Sequence, residues 1–267
     1  MVTTPANTSP PQAAAQRRGL ARPNAVPVCR VLEEDLDLAE GIANGEREDA
    51  IQHCVAELMT LPRGRWSGQR HDITPQGIGL LVLSGLLVRS VRVEDGFGAE
   101  LLGQGDLLRP WQGEGAQSSL TRSSGWRVLE PARIAVLDRH AAARIARYPE
   151  LTGRLVAKAL ERSRNLATAM AIAHHTRIEV RLHMLFWQLA DRWGRVRPDG
   201  VIVPLRLTHS MLADLVSARR PSVSTSLAEL ARRGLVARVA DGWLLSGEPP
   251  GELLQLQPVE VPPAGDE

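Results

Sequence analysis

The spacing of apolar residues changes along the chain, and it predicts two kinds of structure in succession. From about residue 64 to residue 137, short apolar runs are separated by glycine and aspartate, which is typical of antiparallel strands joined by tight turns. From residue 139 to residue 193, apolar residues recur at steps of three and four, which indicates helices. We therefore expect an α+β chain, with an N-terminal antiparallel β-roll followed by helices.

The same periodicity predicts the individual helices. They are expected at residues 49–61, 139–147, 150–174 and 177–193, with a further short helix and loop within residues 31–43. The strands fall within residues 77–88, 90–93, 99–102, 126–129 and 132–137, with a hairpin turn at Asp95-Gly96. Residues 1–30 and 248–267 are rich in proline and polar residues, so we expect both tails to be disordered.

The long helix at residues 150–174 carries a heptad-like stripe of apolar and small residues. Its members alternate at steps of three and four: Val156, Ala159, Ser163, Leu166, Met170 and Ala173. Such a stripe favours close pairing with the same helix of a second copy. Packing of the stripe on its own domain is the alternative.

The segment from residue 201 to residue 246 predicts a helix, a tight turn, a second helix and a hairpin. An edge strand is expected at residues 201–207, because Pro204 interrupts it. Thr208 is suited to cap the first helix, and Ser217-Ala218 forms the turn. The second helix begins near Pro221 and ends at Gly234. The two strands of the hairpin lie at residues 235–239 and 243–245.

This order of elements is that of a winged helix-turn-helix. The arginine and hydroxyl side chains at the start of its second helix are suited to DNA binding. Arginine can span two acceptors of guanine, and small hydroxyls can bond to phosphates or bases. The start of the second helix offers Arg219, Arg220, Ser222, Ser224 and Thr225. The alternatives are a helical hairpin in a core, or a ligand-binding or protein-interaction module that uses the winged helix as a protein interface.

Charge is unevenly distributed along the chain. The totals are 32 basic and 30 acidic residues, but residues 151–247 contain 15 basic and 7 acidic ones, and the remainder is acidic. A basic segment joined to an acidic one favours a polyanionic partner for the basic part. Solvation of helix surfaces explains the same numbers less specifically.

Residues 207–227 resemble the DNA-binding element of Crp/Fnr-type transcriptional regulators. The apolar strand–Gly–strand run at residues 80–88 and the Gln104-Gly105-Asp106 turn are similar to the cyclic nucleotide-binding fold of that family. The resemblance implies a sensor domain at 31–147, a dimerisation helix at 148–175 and a winged helix-turn-helix at 176–247. It places Arg220 at a base-reading position, and His209 and Ser210 at phosphate contacts. Pro221 and Thr225 depart from the family's base readers, so the same operator is not implied.

The nucleotide-binding motif of that family looks degenerate here. Gly113-Glu114 is not followed by leucine, and Arg122-Ser123-Ser124 is a weak replacement for the family's Arg-Ser pair. We therefore expect no cofactor, or a small ligand of another kind, with a cyclic nucleotide as the less favoured alternative. Trp111 and Trp126 are expected in the core rather than in a ligand pocket.

Other chemistry finds little support in the sequence. Adjacent helical residues point about 100° apart, so His174 and His175 do not form one chelating face, and no metal is expected. Cys29 and Cys54 do not suggest a disulfide framework. No catalytic motif, secretory signal or membrane span is found, so we expect a cytoplasmic protein and no enzyme. The resemblance to the Crp/Fnr type implies a bacterial regulator.

Its expected partners are duplex DNA, a second copy of the chain and, as a further candidate, RNA polymerase. We expect a signal to pass from the sensor through a hinge near residues 173–176.

Overall fold

The computed structural model describes residues 26–68, 77–94, 96–111 and 122–251, except for the side chain of Arg122. Within these ranges the helices are α1 (Val31–Glu34), α2 (Asn44–His53), α3 (Arg139–Ile145), α4 (Pro149–Ala173), α5 (Ile178–Trp193), α6 (His209–Leu215) and α7 (Arg220–Arg232), with a 3₁₀ turn at Leu36–Ala39. The strands are β1 (Val28–Arg30), β2 (Val55–Leu61), β3 (Gly64–Trp66), β4 (Gly79–Val93), β5 (Gly96–Leu102), β6 (Leu107–Leu108), β7 (Arg122–Leu137), β8 (Arg195–Arg197), β9 (Gly200–Val203), β10 (Val236–Val239) and β11 (Gly242–Leu245).

The N-terminal sheet is an antiparallel roll built around two long strands. The order of its main path is β1-β2-β7-β4-β5, while β3 pairs with β7 and β6 pairs with β4. The register of β4 on β7 shifts around Gly85, which has φ +94°, and a Cβ there would overlap the carbonyl oxygen of Pro131. The predicted roll is confirmed, but the separate short strands are parts of continuous, irregular ones.

The predicted helix at residues 49–61 is wrong. Helix α2 ends at His53, and Val55–Leu61 is a strand that pairs with β1 on one side and β7 on the other. Ladder hydrogen bonds to two neighbours outweigh the local helical spacing of its apolar residues. Strand β1 also corrects the disordered segment expected at residues 1–30, because Val28–Arg30 pair with β2. Residues 1–25 lie outside the described part.

The helices after the roll agree with the periodicity. Strand β7 is followed by α3, which Asp138 caps by accepting bonds from the backbone N–H groups of His140 and Ala141. Pro149 occupies the first turn of α4. Arg162 on α4 pairs with Glu100 of β5 at 2.6 Å, so the long helix is fixed against the roll.

The second sheet has the order β10-β11-β9-β8, which corrects one strand prediction. The strand expected at the edge, β9, lies between β11 and β8. One edge is formed by β8, and all three residues of β8 are exposed. Pro204 follows β9 directly, so it removes no ladder bond from the strand.

One apolar cluster joins the roll to the C-terminal helices; we call it the junction core. It includes Leu86, Val88 and Leu101 of the roll, Leu185 and Phe186 of α5, and Leu212 and Val216 of α6. No described helix is long and apolar enough to cross a membrane. Of the C-terminal tail, only residues 248–251 are described.

Candidate DNA-binding interface

Helix α6 begins at a side-chain cap. Thr208 Oγ1 accepts a bond from the backbone N–H of Met211 at 3.3 Å, as the sequence predicts. Leu212 and Val216 are fully buried and Met211 and Leu215 partly so, which confirms the predicted inner face. The cap and this face fix the start of α6, where Ser210 is exposed.

We expect Thr208→Ala to lower the free energy of unfolding of the chain by about 1 kcal/mol, because the Met211 N–H would lose its partner. Chemical denaturation measures the change. Thr208→Ser keeps the hydroxyl and should lose only a small part of that stability. Equal stability of the alanine variant and the wild type would show that water caps the helix equally well.

The turn between α6 and α7 is held from two sides. Ser217 has φ +50°, an uncommon conformation for a residue other than glycine. Its hydroxyl donates to the carbonyl oxygen of Phe97 at 3.1 Å, which ties the turn to β5. Arg181 of α5 donates to the carbonyl oxygens of Val216 and of His175, which lies in the segment between α4 and α5. The turn therefore contacts both the roll and the predicted hinge.

Helix α7 begins at Arg220, with Pro221 in its first turn, and Gly234 follows it with φ +70°. Val223, Leu227 and Leu230 are buried, as predicted. The two bounding residues and the buried side confirm the sequence prediction for this helix. At the N-terminal end of the helix, Arg219, Arg220 and Pro221 are exposed.

The predicted DNA contacts at the start of α7 differ in exposure. Arg219, Arg220 and Thr225 are exposed, and Ser222 is half-buried. Among the described residues, no carboxylate lies within ion-pair distance of Arg219 or Arg220. Their guanidinium groups are therefore available to an external acceptor.

Ser224 and His209 form a bridge between the two helices. Ser224 Oγ donates to the carbonyl oxygen of Arg220 at 3.1 Å and lies 2.9 Å from His209 Nδ1. Because the hydroxyl proton is used on the carbonyl, His209 Nδ1 is the donor in the second bond. Both side chains therefore fix the angle between α6 and α7, a role that the spacing of the sequence did not reveal.

The wing is the hairpin of β10 and β11, as predicted. Trp243 is buried on Phe186, with ring centroids 5.0 Å apart, and fixes the wing to α5. The exposed Arg238 stacks over Trp243 at 5.7 Å. Arg238 is a cationic wing residue that sequence analysis missed, although an arginine beside the hairpin turn was a visible signal.

Helix α4 exposes an apolar stripe. Val156, Leu160 and Met170 are 53%, 55% and 64% exposed, and Ser163 and Ala159 are exposed with them. The stripe includes Leu160, which the predicted seam omitted. Leu166 of that seam is also exposed, at 37%, and Leu166, Met170 and Ala173 line a groove against β5. The exposed stripe therefore contains most of the predicted seam and adds Leu160.

In the N-terminal roll, the Gly105-Asp106 turn contacts helix α5. Asp106 is buried; its carboxylate accepts from the Gly103 N–H at 2.7 Å and from Arg192 Nη2 of α5 at 2.8 Å. Burial raises the pKa of Asp106, and the attraction of Arg192 opposes that rise. This pair connects the turn to the helix that supports the DNA-binding elements.

The other predicted ligand positions are only partly described. Residues 112–121, with Gly113-Glu114, lie outside the described residues, as does the side chain of Arg122. Trp126 is buried, with its ring edge-on to Trp66 at 5.5 Å and Arg89 over its face, so it lies in the core as expected. Trp111 is partly buried and packs against the same core.

His174 Nδ1 lies 2.7 Å from the carbonyl oxygen of Met170. Among the described residues, no three His, Cys, Asp or Glu side chains cluster as metal ligands.

Comparison with known proteins agrees with this geometry. Residues 180–245 match the model of the Crp-like helix-turn-helix domain. The fold is similar to a cyclic nucleotide-binding domain containing protein from Listeria monocytogenes, with a TM-score of 0.57 and 15% identity over 80% of this chain and 96% of that one. It is also similar to FixK2 from Bradyrhizobium japonicum, with a TM-score of 0.53 and 15% identity over 72% and 93% of the two chains.

A third similar structure is CLP from Xanthomonas campestris, described as a c-di-GMP responsive global regulator. Its TM-score is 0.51, with 17% identity over 77% of this chain and 100% of that one. No curated protein matches the chain. The resemblance of the DNA-binding element is confirmed, because residues 180–245 form a Crp-like helix-turn-helix domain. The described fold as a whole is that of the similar structures, with an antiparallel roll ahead of this domain.

Proposed function

We propose that the chain is a transcriptional regulator of the Crp/Fnr type and that it acts as a homodimer on a roughly palindromic DNA site. In this arrangement α7 of each copy enters a major groove, and the two grooves are about one helical turn apart. The observation that carries the proposal is the exposed start of α7, where Arg219 and Arg220 lack acidic partners among the described residues. The protein has no catalytic role in this proposal, and its site of action is the cytoplasm, where bacterial DNA lies.

Arg220 is the proposed base reader. A guanidinium at the first turn of a recognition helix can bond to O6 and N7 of guanine. Arg219, Ser222, Thr225 and Ser210 supply phosphate or further base contacts. His209 and Ser224 act as positioning residues, because their hydrogen bonds are made to each other and to α7.

The exposed stripe of α4 is the proposed dimer contact. Val156, Leu160 and Met170 present apolar surface that a second α4 would cover, while Ala159 and Ser163 permit close approach. Pairing along this stripe would hold two recognition helices at a fixed separation.

A signal would pass through the segment at residues 174–177, between α4 and α5. Arg181 contacts both this segment and the turn before α7, so a shift at the hinge changes the position of the recognition helix. We propose that the roll binds no cyclic nucleotide, since the motif at residues 113–119 departs from the family's. RNA polymerase is a proposed partner, in keeping with the regulator class.

The test is selection of bound sites from random duplex DNA, with and without cyclic nucleotides. We expect a two-fold symmetric site that is enriched equally in both conditions, and binding that weakens steeply with salt because phosphate contacts release counterions. Binding that is absent or insensitive to salt would favour the alternative of a protein interface on the winged helix.

Arg220→Ala is expected to weaken binding to the selected site by roughly 1–3 kcal/mol and to relax one base position in each half-site. Binding measured on single-base variants of the site provides the readout. Arg195→Ala, on the exposed edge strand β8, is the control and should bind as the wild type does. Unchanged affinity and sequence preference in Arg220→Ala would assign base reading to another residue.

A further inference from the structure

A cleft of about 960 Å³ lies between the roll and the start of α6. One wall is formed by β3, β4 and β7, and the other by α6 residues and the capping Thr208. Ser210, a proposed phosphate contact, lines the α6 side. The cleft is therefore continuous with the proposed DNA surface.

Three exposed arginines line the roll side of this cleft: Arg63, Arg65 and Arg127. Arg65 on β3 is the direct antiparallel partner of Arg127 on β7, so their side chains share one face of the sheet. Arg63 precedes Arg65 by two residues, about 7 Å along an extended chain. The three cations form a short row beside the start of α6.

The row is not neutralised within the described chain. None of the three arginines has a carboxylate within 4.0 Å among the described residues. Like charges directly opposite on neighbouring strands are destabilising, by up to roughly 1 kcal/mol. Asp214 is the only acidic residue among the described residues that line this cleft. Burial raises its pKa, and the attraction of Arg127 opposes that rise.

We propose that Arg63, Arg65 and Arg127 bind phosphates of the DNA that flanks each half-site. This proposal rests on the proposed function, because it extends the phosphate surface of α6 onto the roll. Guanidinium groups that have no carboxylate partner in the described part of the chain are suited to bind the charged oxygens of a phosphate backbone. Ser210 lines this cleft and is exposed, so the cleft and the surface of α6 are continuous, which favours a continuous duplex over a small anion enclosed in the pocket.

The test compares two duplexes that carry the selected site. One ends at the outer edges of the half-sites, and the other continues for about ten base pairs, one helical turn, on each side. We expect the wild type to bind the long duplex about tenfold more tightly or better, with a steeper salt dependence of about 0.9 per phosphate gained.

The variant with Arg63→Gln, Arg65→Gln and Arg127→Gln should bind both duplexes with the wild-type affinity for the short one. The matched control replaces Arg139, Arg144 and Arg147 by glutamine, on or just after α3 at the other end of the roll. It removes the same charge and should keep the full gain from the flanks.

Each other outcome contradicts the proposal in a recognisable way. If the variant keeps the flank gain, the cleft arginines do not contact DNA, and an anionic small ligand becomes the better occupant. If the variant loses equal affinity on both duplexes, the arginines act through the fold or the core site. If no protein binds either duplex, the proposed function itself fails.

Discussion

Arg192→Leu is expected to lower the free energy of unfolding by about 3–5 kcal/mol at neutral pH, the largest effect on stability that we expect from one substitution. Arg192 supplies the charge that faces the buried carboxylate of Asp106 at 2.8 Å. Removing one member of a buried ion pair leaves the other charge poorly compensated, and Asp106 would keep only the more distant Arg162 and the Gly103 N–H. Chemical denaturation followed by circular dichroism measures the loss.

The pH dependence of this loss identifies its cause. The pKa of Asp106 is already raised by burial, and it rises further once Arg192 is gone. A carboxyl whose folded-state pKa lies above the unfolded value of about 3.9 favours folding when it is protonated. The Arg192→Leu variant should therefore regain stability, relative to the wild type, as pH falls from 7 through the raised folded-state pKa.

A second substitution provides the control for Arg192→Leu. Asp106→Asn in the same chain removes the unpaired charge, while the side-chain oxygen can still accept from the Gly103 N–H. The double variant should recover most of the stability that the single variant loses at neutral pH. If the double variant is as unstable as the single one, the loss of stability comes from the packing of the aliphatic part of the Arg192 side chain.

Leu160→Glu with Met170→Glu is expected to dissociate the proposed dimer and to weaken binding to the full palindromic site by a factor of about 10² or more. Both side chains are more than half exposed in the single chain, so the substitutions leave its fold intact. In the dimer they would place like charges in an apolar contact. Sedimentation measures the association state, and titration of the full site and of one half-site measures the binding.

The matched control carries Ala157→Glu and Thr168→Glu. These residues are exposed on α4, but they lie about 100° or more around the helix from the centre of the stripe. The control adds the same charge and should remain dimeric. A monomeric control, or a stripe variant that stays dimeric, would place the contact on another face.

The C-terminal elements could be predicted from the sequence because their signals are local. The cap at Thr208, Pro221 in the first turn of α7 and Gly234 after its last turn each fix a boundary within one turn of helix. Long-range pairing decides the elements where prediction failed. Nothing local in Val55–Leu61 distinguishes a strand between two partners from the end of an amphipathic helix.

The candidate site was predictable in position and only partly in detail. Exposure of Arg219 and Arg220 follows from their place at the N-terminal end of α7, ahead of Val223, the first buried residue of the helix. The bond between Ser224 and His209 does not, because it depends on the angle at which two helices cross. The cleft arginines escaped prediction for a similar reason, since β3 was not recognised as a strand.

The junction core sets a limit on how far the DNA-binding elements can move. Leu86, Val88 and Leu101 of the roll share that core with α5 and α6. Each ~100 Å² of apolar surface uncovered there would cost about 2.5 kcal/mol. A typical coupling free energy between two sites is about 1–3 kcal/mol. A signal of that size can drive a shear that keeps the side chains in contact, but it cannot detach the recognition helix from the roll.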